Sequence, residues 1–71
     1  MDNGTLARLM LKTAKREIFN GQARIVINDF LKEQNLKLTI PELLAVFRQN
    51  YPYYPIQQKM NVFIIDLGVK P

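Results

Sequence analysis

No cysteine stands anywhere in this chain, so its 71 residues have to hold together by burying apolar side chains, without a disulfide or a thiolate-bound metal. A chain this short buries only about 60% of its unfolded surface when it folds. Such a chain gains from a second copy, and a two-fold homodimer is expected on that ground. The composition, 48% hydrophobic and 23% charged, is that of one packed domain spanning residues 1–71 and not of a disordered tail. Met1-Asp2-Asn3-Gly4 offers neither the positive charge nor the apolar stretch of a signal peptide. The longest apolar run, Val62-Phe63-Ile64-Ile65, is far below the ~20 residues of a membrane span. A cytoplasmic address without a membrane span is the expectation.

Apolar spacing predicts four helices. From Thr5 to Phe19, Leu6, Met10, Ala14 and Ile18 recur at helical intervals, with Ala7 and Leu11 widening the stripe. Asn3 or Thr5 is placed to cap this first helix, and Asn20-Gly21 to stop it. The same Asn-Gly pair suits a hairpin, but the flanking residues do not alternate as two strands should. From Gln22 to Asn35, Ala23, Val26, Ile27, Phe30 and Leu31 share one helical face, opposite Arg24, Asn28, Asp29, Lys32 and Glu33. The Ile25-Val26-Ile27 stretch also suits a strand, although a strand continued from there puts Asp29 and Ile27 on one side. Thr39-Ile40-Pro41-Glu42 is the sharpest local signal: Thr39 as N-cap, Pro41 in the first turn, and Glu42 returning to the Thr39 amide. The third helix then runs to about Asn50, burying Ile40, Leu43, Leu44 and Phe47, and Tyr51-Pro52 ends it. Pro55 opens a fourth helix, with Ile56, Met60, Phe63, Ile64 and Leu67 inward and Gly68 as its cap. The expected fold is all-α, a compact bundle of four short helices.

The residue types exclude much chemistry. Without His, Cys or Ser, the usual acyl-transfer partnerships and zinc ligands are missing, and no enzyme activity is expected. Asp29 and Glu33 stand four apart, but beside Lys32 they read as a solvated face and not as a metal site. Gly4, Gly21 and Gly68 are too scattered to wrap a phosphate, so no nucleotide or other cofactor is expected.

Binding surfaces remain. Ten Lys and Arg against six Asp and Glu give a net charge of +4, which favours acidic partners. Arg8, Lys12, Lys15 and Arg16 form a stripe on the first helix that can follow phosphates or lie on anionic lipid, or simply face solvent. Gln57, Gln58, Lys59 and Asn61 cluster at the start of the fourth helix, where a recognition helix presents side chains to base edges; the bland alternative is the wet side of that helix. Tyr51, Tyr53 and Tyr54, held by the neighbouring Pro52 and Pro55, can stack on bases, dock a protein or cap the core.

From Gly21 to Pro71 the chain resembles the three-helix core of winged helix-turn-helix DNA-binding domains, most nearly the N-terminal domain of bacterial arginine repressors. The residues that carry the likeness are Gly21-Gln22, Ile25 and Ile27, Glu42-Leu43, Tyr51, and Leu67 before Val69-Lys70-Pro71. In that family the third helix touches DNA through a Ser-Arg pair; Lys59 and Met60 stand at those positions here, so this contact is not carried over. On this alignment the chain ends where a wing begins. The resemblance implies a DNA-binding scaffold and no arginine site. The expected function is a small DNA-binding regulator, its fourth helix in a groove and its basic side chains on phosphates. The alternative is a protein-binding inhibitor or adaptor that uses the Tyr51–Pro55 turn and a helical face to hold an acidic partner.

Overall fold

The computed structural model describes residues 2–17 and 21–68, and it is an α+β fold instead of a four-helix bundle. Three helices, α1 (Asn3–Thr13), α2 (Ile27–Glu33) and α3 (Ile40–Asn50), pack against a sheet of β1 (Lys15–Arg16), β2 (Gln22–Val26), β3 (Ile56–Lys59) and β4 (Val62–Asp66). The sheet is antiparallel throughout, in the order β1-β2-β4-β3.

Helix α1 begins where Asp2 Oδ1 accepts from the Thr5 amide at 2.7 Å, so neither Asn3 nor Thr5 is the cap. It ends at Thr13, well short of Phe19, and Thr13 Oγ1 donates back to the Leu9 carbonyl at 2.7 Å. The predicted end at residues 18–20 lies outside the described residues. Lys15 and Arg16 leave the helix to pair with Arg24 and Ala23, and the Glu17 amide donates to the Gln22 carbonyl at 2.8 Å. β1 and β2 therefore pair antiparallel, against the expectation from the flanking sequence, while residues 18–20 of the connection lie outside the described residues. Two residues on the short strand are enough to satisfy the ladder, too few to display an alternation.

The segment read as one helix from Gln22 to Asn35 is a strand followed by a helix. In β2, Ala23 and Ile25 are buried while Arg24 and Val26 are exposed, a period of two. At Ile27 the period changes, and Ile27 and Phe30 are buried from α2. The objection to a strand at Ile25-Val26-Ile27 presupposed that it continued to Asp29; it stops at Val26. Helix α2 closes over Asn35, which has φ +52, with the Leu36 amide donating to the Leu31 carbonyl at 2.9 Å.

Helix α3 forms as its capping box predicts. The Glu42 amide donates to Thr39 Oγ1 at 3.3 Å, and the Thr39 amide donates to Glu42 Oε1 at 3.0 Å. It buries Leu43, Val46 and Phe47, with Ile40 and Leu44 partly covered, and ends at Tyr51.

The predicted fourth helix is instead the β3–β4 hairpin. Lys59 pairs with Val62, Gln58 with Phe63, Gln57 with Ile64 and Ile56 with Ile65, leaving Met60-Asn61 as a two-residue turn. Met60, expected inside, is 91% exposed with φ +55. Phe63 and Ile65 are fully buried, which is period two and not 3.6. Strand β4 sits centrally, paired along its whole length with β2 from Gln22↔Asp66 to Val26↔Val62. The run Val62-Phe63-Ile64-Ile65 is aromatic and β-branched, the composition that packs well on a pleated surface.

One core fills the space between the sheet and the helices, built from Leu6, Ala7 and Met10 of α1, Ala23 and Ile25 of β2, Ile27 and Phe30 of α2, Leu43 and Phe47 of α3, and Phe63 and Ile65 of β4. Among the described residues no helix is long and apolar enough to cross a membrane.

Candidate functional site

Charge is divided unevenly along the chain. Up to Val26 there are five cations, Arg8, Lys12, Lys15, Arg16 and Arg24, against Asp2 and Glu17. From Ile27 to Asn50, Lys32, Lys37 and Arg48 are balanced by Asp29, Glu33 and Glu42. The basic surplus therefore belongs to α1, β1 and β2.

Arg8 and Lys12 stand exposed on α1, one turn apart. Lys15 and Arg16 are exposed too, but on β1, so the four do not form the single helical stripe that their spacing predicted. Lys15 lies in register with Arg24, whose Nε donates to Glu17 Oε1 at 2.7 Å. A shallow cleft of about 180 Å³ lies here, between the end of α1, β2 and α2; Lys15 and Arg24 line it together with Asp29 and Glu33.

Gln57, Gln58 and Lys59 are exposed on β3, not on a helix. The pleat separates them: Gln57 and Lys59 point away from the helices, while Gln58 is in register with buried Phe63 at the sheet edge. Gln58 Nε2 donates to the Met60 carbonyl at 3.1 Å. Asn61 is half-buried and engaged within the fold: its Oδ1 accepts from the Asn28 amide at 3.0 Å, and its carbonyl accepts from the Ile27 amide at 2.8 Å. The hairpin tip thereby caps the start of α2, where Val26 offers no side-chain acceptor.

The aromatic turn packs on itself. Tyr51 is half-buried, its ring 5.3 Å from that of Phe47 and 6.0 Å from that of Tyr54, and Tyr53 meets Tyr54 edge-on at 4.9 Å. Such contacts, in the range of favourable aromatic pairs, close the end of α3 over the core. Tyr53 keeps 41% of its surface exposed.

One surface was not anticipated. Pro41, Glu42, Ala45, Arg48 and Gln49 are exposed on α3 at i, i+1, i+4, i+7 and i+8, so they share one face. The signal was present in the sequence as the complement of the buried set Leu43, Val46 and Phe47. Arg48 also ties α3 to the sheet, its Nη2 donating to the Ile56 carbonyl at 3.3 Å. The Thr39 backbone amide and hydroxyl hold the Glu42 carboxyl below its ordinary value, so Glu42 stays ionised and bound to the cap. Asp2 is lowered likewise by the Thr5 backbone amide and then its hydroxyl.

Among the described residues no group of three or more carboxylates is placed to hold a metal ion. Compared with known proteins, the chain matches no family model, no curated protein and no solved structure.

Proposed function

We propose that this domain binds duplex DNA, with the outward face of α3 in the major groove and the basic side chains of α1 and β1 on the phosphates. The observation that carries the reading is the order of elements. A strand, β2, runs into the α2–α3 pair, and the hairpin that follows returns its second strand, β4, to pair with β2. We read that arrangement as a winged helix-turn-helix order in a register other than the one the sequence suggests, taking α1, α2 and α3 as the three helices and the β3–β4 hairpin as the wing.

The chemistry of α3 suits the task. Eleven residues span about 16 Å, enough to lie in a major groove about 12 Å wide. Ala45 at the centre of the face lets the helix approach closely and offers a methyl contact to thymine. Arg48 pairs with guanine and Gln49 with adenine. Since residues 27–50 carry no net charge, attraction to the polyanion falls to Arg8, Lys12, Lys15 and Arg16.

The two roles separate experimentally. After a preferred site is selected from random duplexes, Arg48→Ala or Gln49→Ala is expected to cost about 1 to 3 kcal/mol on that site and much less on random DNA. Lys12→Ala or Lys15→Ala is expected to weaken binding to every duplex and flatten the salt dependence by about one unit of slope. Fluorescence anisotropy over a salt series reads both. Absence of DNA affinity at low salt ends the proposal.

A further inference from the structure

The sheet has a second face. Register places Glu17, Gln22 and Asp66 in one row on that side, Lys15, Arg24, Ile64 and Gln57 in the next, and Val26, Val62 and Lys59 in the third. None of these side chains is fully buried, and Val26 keeps 45% of its surface exposed. Ile64, Val62 and Val26 form an apolar strip across the two central strands, with Lys15 on one flank and Lys59 on the other. The carboxylates on this face are gathered at one end and engaged within the fold: Glu17 holds Arg24 at 2.7 Å, and Asp66 Oδ1 accepts from the Gly68 amide at 2.9 Å. Among the described residues the two lysines have no such partner, and Asp29 and Glu33 lie across the cleft on α2.

We infer that this outward sheet face docks an acidic protein segment that brings apolar side chains of its own. A strip of hydrocarbon gives nucleic acid phosphates nothing to pair with, while a peptide with alternating acidic and apolar residues satisfies both the strip and the lysines. A second copy of the chain fits poorly. Four strands of at most five residues give a footprint of at most roughly 300 Å², well below the ~800 Å² per partner of a stable interface. A two-fold axis running across the strands also sets Lys15 and Arg24 against their own copies. The core-facing side of the sheet carries the helices, so a segment bound here leaves the face of α3 free.

The test is a titration of the ¹⁵N-labelled chain with a synthetic peptide of six Glu-Val repeats, read by amide chemical shifts. Shifts are expected to concentrate at Val26, Val62, Ile64 and Lys59. Peptides of six Lys-Val or six Glu-Ser repeats are expected to bind at least tenfold more weakly. In the protein, Val26→Thr and Lys59→Gln, both exposed positions that keep strand character, are each expected to weaken the Glu-Val peptide several-fold with an unchanged melting temperature. No shifts at millimolar peptide, or an equal response to the Lys-Val peptide, overturns the inference. Concentration-dependent shifts at the same residues without peptide overturn it in favour of a second copy, and shifts at Val26, Val62 and Ile64 with a short DNA duplex overturn it in favour of nucleic acid. The inference does not depend on DNA binding by α3: Arg48→Ala is expected to leave the peptide titration unchanged.

Discussion

The first turn of α3 is closed by residues three positions apart in the chain, whereas that of α2 is closed by a residue 33 positions away. Thr39 and Glu42 exchange hydrogen bonds within a single turn, so the start of α3 is specified wherever that tetrapeptide occurs. The start of α2 has no such local device: Val26 is its N-cap without a side-chain bond, and its first amides wait for Asn61 to arrive with the β3–β4 hairpin. Helix α2, only seven residues long, is therefore a product of the tertiary fold, since isolated helices shorter than about 12 residues are marginal in water. The two helices lie side by side in sequence, yet one is written locally and the other is not.

The largest way to break this comparison acts through the strand that both the sheet and α2 depend on. Phe63 of β4 is fully buried, and Phe63→Ala is expected to cost about 3 to 5 kcal/mol. For a chain this small that loss removes most of the stability. Circular dichroism is expected to show α2 and the sheet lost together, and retention of a cooperative melt at the original temperature would count against the placement of β4.

A smaller test separates the two caps directly. Asn61→Ala removes the acceptor of the Asn28 amide and is expected to cost about 1 to 2 kcal/mol, while Thr39→Ala is expected to cost about 1 kcal/mol. Hydrogen exchange distinguishes them better than the totals do. The first substitution is expected to loosen α2 and the hairpin tip at once; the second is expected to speed exchange only in the first turn of α3. If Asn61→Ala leaves exchange in α2 untouched, the long-range cap is not what holds that helix.

The smallest effect is one of pH. Glu42 has a folded value lowered from its ordinary 4.5, chiefly by the Thr39 backbone amide. A lowered carboxyl contributes stability above its unfolded value and loses it as pH falls through the folded one. The contribution of α3's cap is therefore expected to be intact above about pH 5 and to fade below 4.5, and Thr39→Ala is expected to shrink that dependence. Melting temperatures of the two proteins from pH 6 to pH 3 check it; parallel profiles would remove Glu42 from the cap.

The candidate site follows the same division. The basic residues were visible from composition and spacing, but Lys15 and Arg16 belong to a strand, so the stripe they seemed to share with Arg8 and Lys12 is broken. Gln57 and Lys59 stay exposed, while Asn61, grouped with them by sequence, is engaged at the start of α2. The face of α3 was legible once its buried residues were known, because a helix that hides Leu43, Val46 and Phe47 must present Ala45, Arg48 and Gln49.

What the sequence determined alone is α3 from its capping box to Tyr51-Pro52, and most of α1, because helical hydrogen bonds and caps join residues a few positions apart. The sheet was decided only in three dimensions. Ile25-Val26-Ile27 and Val62-Phe63-Ile64-Ile65 each read acceptably in either period, and what chooses the strand is the other segment: the Ile25 backbone pairs with Phe63, and both side chains enter the same core. A strand's hydrogen bonds are made to a partner that the local sequence does not contain, so no window around either run holds the information that selects it.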